Sequence, residues 1–238
     1  MQMKTISTSG FTGTTLKLIA MTIMLIDHMG TALIQKGVMS TDYNESWYMV
    51  AILMRLVGRL AFPIFAFLLV EGFLHTHDVK RYFLNLAVFA VISEVPFDLA
   101  IFDRVWEGNY QNVYFTLAIG LLTLILLDRL ENRRILQGVT ILLACGTATL
   151  LKTDYGALGI LMMTGLYLFR KDPRKQLTAG AVMAFIESWS YGGIAALAFI
   201  PIRFYYGERG NTTFKYVFYW FYPVHLFLLY IIRCALFG

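Results

Sequence analysis

Cysteine is scarce in this chain, and so is charge. Cys145 and Cys234 each stand alone in an apolar run, with no C-x-x-C. A disulfide framework or a zinc site therefore has no support in the spacing, and no metal is expected. Charged residues make up only 15% of the 238 residues, against about 25% in soluble domains. No G-x-x-x-x-G-K-[ST] occurs, which excludes a P-loop. No internal repeat and no separate soluble stretch interrupts the apolar pattern. The polar start MQMKTISTSGFTGTT lacks the layout of a cleaved signal peptide, so the first apolar run is expected to be retained.

What is present is apolar. Hydrophobic residues reach 58%, aromatics 16%, and mean hydropathy is +0.63. Apolar runs of bilayer length recur along the chain. The expected fold class is all-α, a polytopic transmembrane helix bundle of about nine spans with Pro-kinked helices. The spans are read at 16–35, 48–70, 82–101, 112–128, 135–151, 156–170, 177–190, 193–206 and 216–234. They form a single domain over 16–238 behind a short polar N-terminus, 1–15. The seventh and eighth spans flank SWSYGG and could make one bent or re-entrant unit. The formal net charge of +5 comes from Lys and Arg in short loops, the pattern of topology signals rather than of nucleic-acid binding. With the N-terminus cytoplasmic, only Lys36, Arg104, Lys152 and Arg233 fall on the outer side.

Charge within the apolar runs calls for a reason, because a charged side chain at a helix centre costs about 2.5–3.5 kcal/mol on insertion scales. The set is Asp27, His28, Arg55, Arg59, Glu94, Asp98, Glu187 and His225. Arg55 and Arg59 are four apart and share a helix face, as do Glu94 and Asp98. Two stacked cations on the second span are expected to meet two stacked acids on the third, with charge pairing as the plain structural reading of Glu94, Asp98 and Glu187. Asp27 and His28 are adjacent, so they point to different neighbours. A charge partner to Arg55 or Arg59 is the plain reading of Asp27. His28, with an ordinary pKa near 6.5, has the property a general base needs. Helical prolines free the carbonyl four residues earlier: Pro63 that of Arg59, Pro96 that of Ile92, Pro201 that of Leu197 and Pro223 that of Tyr219. Broken backbone at membrane depth is tolerated where it is buried or lines a wet cavity, so an internal cavity is expected. EGFLHTHDVKRY and YYGERGNTTFKY set glycine and cations on the inner face, and a polyphosphate is one ligand such groups could hold.

The blocks LKLIAMTIMLIDHMG, RLVGRLAFPIFAFLLVEGF, ISEVPFDLA, YGERG and FYWFYPVHLFLLY closely resemble the TraX family, in family order over about residues 16–233. Its motifs fall on Asp27 and His28; on Arg55, Gly58, Arg59 and Pro63; on Glu94, Pro96 and Asp98; on Glu208 and Arg209; and on Tyr222 and His225. The family is associated with N-terminal acetylation of pilin and looks like a distant relative of membrane acyltransferases. The resemblance implies a multi-pass protein of the bacterial inner membrane that moves acetyl from acetyl-CoA to an amine or hydroxyl. The acceptor would be a peptide or protein N-terminus, a sugar or a lipid. The expected cosubstrate site is His75, His77, Lys80, Arg81, Arg209 and Lys215. The expected catalytic set is His28, Asp27, Arg55, Arg59 and His225, with membrane lipids as surroundings and self-association into a homo-oligomer allowed. Two other classes fit the same charges: a transporter or channel, and a non-catalytic membrane assembly subunit.

Overall fold

The computed structural model describes residues 10–41, 43–210 and 215–237. Among these residues all regular structure is helical, and the extended pairings are two isolated bridges, Phe11 with Tyr205 and Gln111 with Thr153. In chain order the helices are α1 (Gly13–Met29), α2 (Met39–Thr41), α3 (Glu45–Gly58), α4 (Ala61–His75), α5 (Val79–Phe102), α6 (Val113–Arg129), α7 (Arg134–Leu150), α8 (Gly156–Leu168), α9 (Pro173–Glu187), α10 (Phe199–Arg203) and α11 (Lys215–Phe237). A π-helical stretch, Gly30–Val38, joins α1 to α2.

The helices start where short polar side chains can take the free N–H groups of a first turn. Thr12, Asn44, Asp78, Asn112 and Asp172 do so for α1, α3, α5, α6 and α9. The chain α3–α4 is interrupted at Arg59–Leu60, three residues ahead of Pro63. Pro63 thus sits in the first turn of α4, where its missing N–H costs nothing. It starts a helix instead of kinking one.

Length sorts the bundle into two classes. Four segments are long and apolar enough to cross a membrane: Gly13–Thr41, Glu45–His75, Val79–Phe102 and Tyr216–Phe237. The segments between α5 and α11 are shorter. α6 and α7 have 17 residues each and α8 has 13, about 20–25 Å at 1.5 Å per residue. Nine spans were expected; among the described residues four segments are long and apolar enough to cross a membrane, and Arg134–Leu150, Gly156–Leu168 and Ile194–Arg203 are shorter apolar helices. The SWSYGG stretch is a turn between two helical segments. α9 ends at Glu187, 3-10 turns follow over Trp189–Tyr191 and Ile194–Ala198, and Gly192 and Gly193 have φ of 70° and 74°. A Cβ on Gly193 would lie 2.0 Å from the Phe185 ring, so shape and conformation both require glycine there.

The core lies along α4, which packs on α1, α6 and α8. Phe62, Ile64, Leu121, Leu124, Ile160, Met162 and Met163 are essentially inaccessible. Close approach depends on small residues, as in other membrane bundles. A Cβ on Gly120 would meet Met163 Cε at 2.2 Å, and one on Gly180 would meet the Phe199 ring at 2.3 Å. α7 buries little beyond Ala148 and turns Ile135, Leu142 and Leu150 outward, as lipid-facing residues should be.

Candidate functional site

The intramembrane charges gather at one level. Asp27 lies 14 residues into α1 and Glu94 lies 15 residues into α5, each about 21–23 Å from its helix start. Arg59 sits at the α3–α4 break, midway along the 31-residue segment Glu45–His75. The short helices meet this level with their ends: α6 begins beside Glu94, and α9 ends at Glu187 beside Arg59.

Asp27 pairs with α3. Arg55 Nη1 donates to Asp27 Oδ2 at 3.0 Å and to Thr31 Oγ1 at 2.9 Å, and Thr31 Oγ1 donates to the Asp27 carbonyl at 3.2 Å. Gly58 makes this contact fit, because a Cβ there would stand 2.2 Å from Asp27 Oδ1. Gly58→Ala should push the carboxylate off Arg55 and destabilise the protein by about 1–3 kcal/mol, the range for overpacking. Thermal unfolding in detergent checks it, and an unchanged midpoint would contradict the contact.

Arg59 turns the other way. Its Nη1 is 3.9 Å from Glu187 Oε1 and its guanidinium lies 4.9 Å over the Tyr191 ring, a cation–π geometry. The expected pairing of Arg55 and Arg59 with Glu94 and Asp98 is therefore corrected. Glu94 receives the side-chain amide of Asn112, whose Nδ2 also donates to the Ala90 carbonyl at 2.8 Å. Asp98 Oδ2 accepts from the Glu107 N–H at 2.8 Å. The two arginines share a helix face in sequence, but the break at Arg59–Leu60 lets each follow its own neighbour. Near the far end of α5, Asp103 is held by Lys36 at 2.6 Å and by Arg233, which also donates to the carbonyls of Ala100 and Leu99. Two of the four cations expected outside thus clamp α5 to α11 and to the π-helical stretch.

The histidines meet. His28 Nδ1 and His225 Nε2 are 2.7 Å apart, with rings stacked at 4.9 Å. His225 Nδ1 lies 2.6 Å from the Phe221 carbonyl. A carbonyl only accepts, so this nitrogen carries the proton, and in neutral rings His28 Nδ1 is the donor to His225 Nε2. Pro223 frees the Tyr219 carbonyl, as the sequence predicts, and Tyr114 Oη donates to it at 3.1 Å. Several buried atoms of the level have no partner among the described residues: Asp27 Oδ1, Arg59 Nε, Glu94 Oε1, Asp98 Oδ1 and Glu187 Oε2.

Below this level is a cavity of about 480 Å³, walled by α1, α4, α5, α6 and α11. Its inner end is Tyr114 and Tyr222, and the Tyr222 ring stands edge-on to His28 at 5.9 Å. Its mouth carries Lys17, His75 and Arg209, together with Glu71. The GERG segment builds that mouth. Gly13 N–H donates to the Glu208 carbonyl at 2.8 Å and Thr14 N–H to the Arg209 carbonyl at 3.0 Å. These bonds lay the loop across the start of α1, and Gly210 at φ 73° keeps it clear of Thr12 and Thr14.

Of the six residues expected to hold a cosubstrate, His75 and Arg209 line the cavity. His77, Lys80 and Arg81 do not, and Arg81 donates to Tyr216 Oη at 2.9 Å. The side chain of Lys215 lies outside the described residues. Sequence reasoning missed Lys17 as a lining residue, although it is the first cation of the first span. It also missed Asn112, which reads only as the first residue of the fourth apolar run, and the pair in which Tyr110 Oη donates to Asp154 Oδ1 at 2.6 Å.

In the loop 103–112, Glu107 accepts from the backbone N–H and the side-chain amide of Asn109, both at 3.1 Å, and from Arg104 at 2.9 Å. Asn109's donors hold the carboxyl below the usual range. A lowered folded value means the contribution is present above the ordinary glutamate pKa near 4.3 and is lost as pH falls through the folded value. Below about pH 4, amide exchange at Asn109 should speed up in the native protein and not in Glu107→Gln, where this dependence is absent.

A family model described as "TraX protein" matches residues 12–233. A curated relative, "Probable fimbrial assembly protein FimC, serogroup H1" of Dichelobacter nodosus, is 28% identical over 243 residues, covering 92% of this chain and 94% of the relative. No solved structure matches the chain. These matches correct the acetyltransferase expectation, and with it the assignment as an acyltransferase enzyme. A relative aligned nearly end to end is named for fimbrial assembly and not for acyl transfer. The recognition of the family itself stands.

Proposed function

Because the chain belongs to the TraX family, we propose that it is a non-catalytic subunit of a fimbrial or pilus assembly apparatus, held in the bacterial inner membrane with its N-terminus cytoplasmic. The carrying observation is the near end-to-end match to a fimbrial assembly protein. The costly intramembrane charges gain a structural reason in this reading, because most of them join two helices. Asp27–Arg55 ties α1 to α3, Arg59–Glu187 ties the α3–α4 break to α9, Glu94–Asn112 ties α5 to α6, and His28–His225 ties α1 to α11. Such pairs fix the long helices to one another and to the ends of the short ones. Residues 16–206 and 216–234 then make nine alternating segments, four of them full crossings.

The basic ends of the short helices face the cytoplasm in this reading, and the loop 103–112 faces outward. Trp106 in that loop is 67% exposed and offers a contact point for an assembly partner. A photo-crosslinking residue at position 106, in native cells that make fimbriae, should yield adducts containing a fimbrial subunit or another assembly protein. Adducts with neither, at normal expression, would sink the proposal.

A further inference from the structure

We propose that the joined ends of α6, α7, α8 and α9 form a binding site for an anionic diacyl phospholipid, its phosphate at Arg133 and Arg134 and its tails along the outward face of α7. Three observations converge on this class of ligand. The first is how the four helix ends are fastened. Tyr167 Oη donates to Asp128 Oδ1 at 2.7 Å and joins α8 to α6. Gln137 Nε2 donates to the Leu127 carbonyl at 3.2 Å and joins α7 to α6. Gln176 Nε2 donates to the Leu166 carbonyl at 3.0 Å and joins α9 to α8. The two turns between these helices therefore share one end of the bundle.

The second is charge. Arg129, Arg133, Arg134, Lys171 and Arg174 are exposed at that end, and their side chains have no hydrogen-bond or ion-pair partner among the described residues. The acids beside them are mostly engaged. Asp128 receives Tyr167, and Asp172 caps α9 and lies 3.5 Å from Lys175, which leaves Glu131. The opposite end of α7 differs, because Lys152 Nζ there donates to Asn109 Oδ1 at 3.0 Å. Unpaired basic groups at a membrane surface attract anionic lipids, and a guanidinium binds phosphate oxygens two at a time.

The third is the apolar surface that continues from the arginines. An open groove is lined by Asn132, Arg133, Arg134, Ile135 and Leu136, so cations and apolar side chains share its walls. Farther along α7, Ile135 is 85% and Leu142 73% exposed. Gly138 leaves a notch between them, where a Cβ would meet nothing within 4 Å. From Arg134 to Leu142 is eight residues, about 12 Å along the helix. That depth lies within one leaflet, half of a hydrocarbon core about 30 Å thick. A soluble polyanion would use the arginines and leave this face bare. A neutral lipid would cover the face and leave the arginines unused. α7 packs on α6 and α8 and buries little beyond Ala148, so a lipid held at both levels would add to its few contacts. The site is independent of the assembly role.

The experiment uses the full chain in a neutral detergent with an equimolar mixture of dioleoyl-phosphatidylglycerol and dioleoyl-phosphatidylcholine, and native mass spectrometry counts the retained lipids. Glycerol 3-phosphate supplies the head without tails, and poly-glutamate stands for an acidic protein. The parent should retain phosphatidylglycerol at least fivefold over phosphatidylcholine, and neither soluble anion should displace it. Arg133→Gln with Arg134→Gln, both at exposed positions, should bring that ratio below twofold. Arg203→Gln removes an exposed cation from α10, which packs on α4 and α9, and should leave the ratio as in the parent. Phosphatidylglycerol with a photoreactive tail should label peptides of α7. Equal retention of the two lipids, displacement by poly-glutamate or glycerol 3-phosphate, or an equal loss in Arg203→Gln would each overturn the proposal. So would a double variant that keeps the ratio, or labelling that spares α7. If the double variant fails to fold, the labelling of the parent decides it.

Discussion

Arg55→Ala should unfold more easily than the parent, by less than the ~3–5 kcal/mol that removing one partner costs a fully buried ion pair, because Arg55 and Asp27 keep 25% and 16% side-chain exposure. Arg55 Nη1 serves both Asp27 Oδ2 and Thr31 Oγ1. Without it the carboxylate of Asp27 is left among helices, and its Oδ1 already has no partner among the described residues. The cost thus comes mainly from the stranded acid rather than from the lost attraction. That distinction is testable, because Asp27→Asn in the Arg55→Ala background removes the stranded charge. The double variant should recover more than half of the loss in a thermal-unfolding series in detergent. A double variant no better than Arg55→Ala would mean that the guanidinium acts by packing alone.

The second large effect belongs to Asn112. Its Oδ1 caps α6 by accepting from the Tyr114 N–H at 3.0 Å, and its Nδ2 serves both the Ala90 carbonyl and Glu94. Asn112 is fully buried. Asn112→Ala removes a cap, worth about 0.5–2 kcal/mol, and a hydrogen bond to an acid, worth about 1.5–3 kcal/mol. A combined loss of about 3 kcal/mol is expected. Asn112→Ser keeps the cap and loses the amide, so its loss should be intermediate. The discriminating comparison is Glu94→Gln, which should lessen the damage of Asn112→Ser by taking the charge away. Equal unfolding midpoints for Asn112→Ala and Asn112→Ser would rule out the cap.

The two residues mark what was legible in the sequence and what was not. The acid beside His28 could be assigned a partner because Arg55 and Arg59 were the cations of the next span, and Arg55 is that partner. Pro223 names the carbonyl it frees by rule, and Tyr114 occupies it. The four long apolar segments were legible as well, since length and hydropathy decide them. Arg59 was not legible. Its partner Glu187 lies 128 residues away in sequence, and the choice between Glu187 and Glu94 depends on helix rotation at the Arg59–Leu60 break. Asn112 carried no signal, because nothing in the sequence shows that the loop before α6 ends at mid-height on α5. Lys17 read as a topology charge, and only the packing of α11 places it at a cavity mouth. The function followed the same course. The motifs identified the family, but the chemistry attached to them did not survive the match to a fimbrial assembly protein.

The central claim is that this chain builds fimbriae as a membrane scaffold rather than as a catalyst. The direct test is to remove it from its native cells and score surface fimbriae by electron microscopy, with immunoblots of assembled and unassembled subunit. Loss of fimbriae with unassembled subunit retained is expected. Fimbriae should return with the parent chain and with a stably folded His28→Gln variant, and not with Arg55→Ala. Undiminished fimbriae after removal, or a well-folded His28→Gln chain that cannot restore them, would contradict the claim.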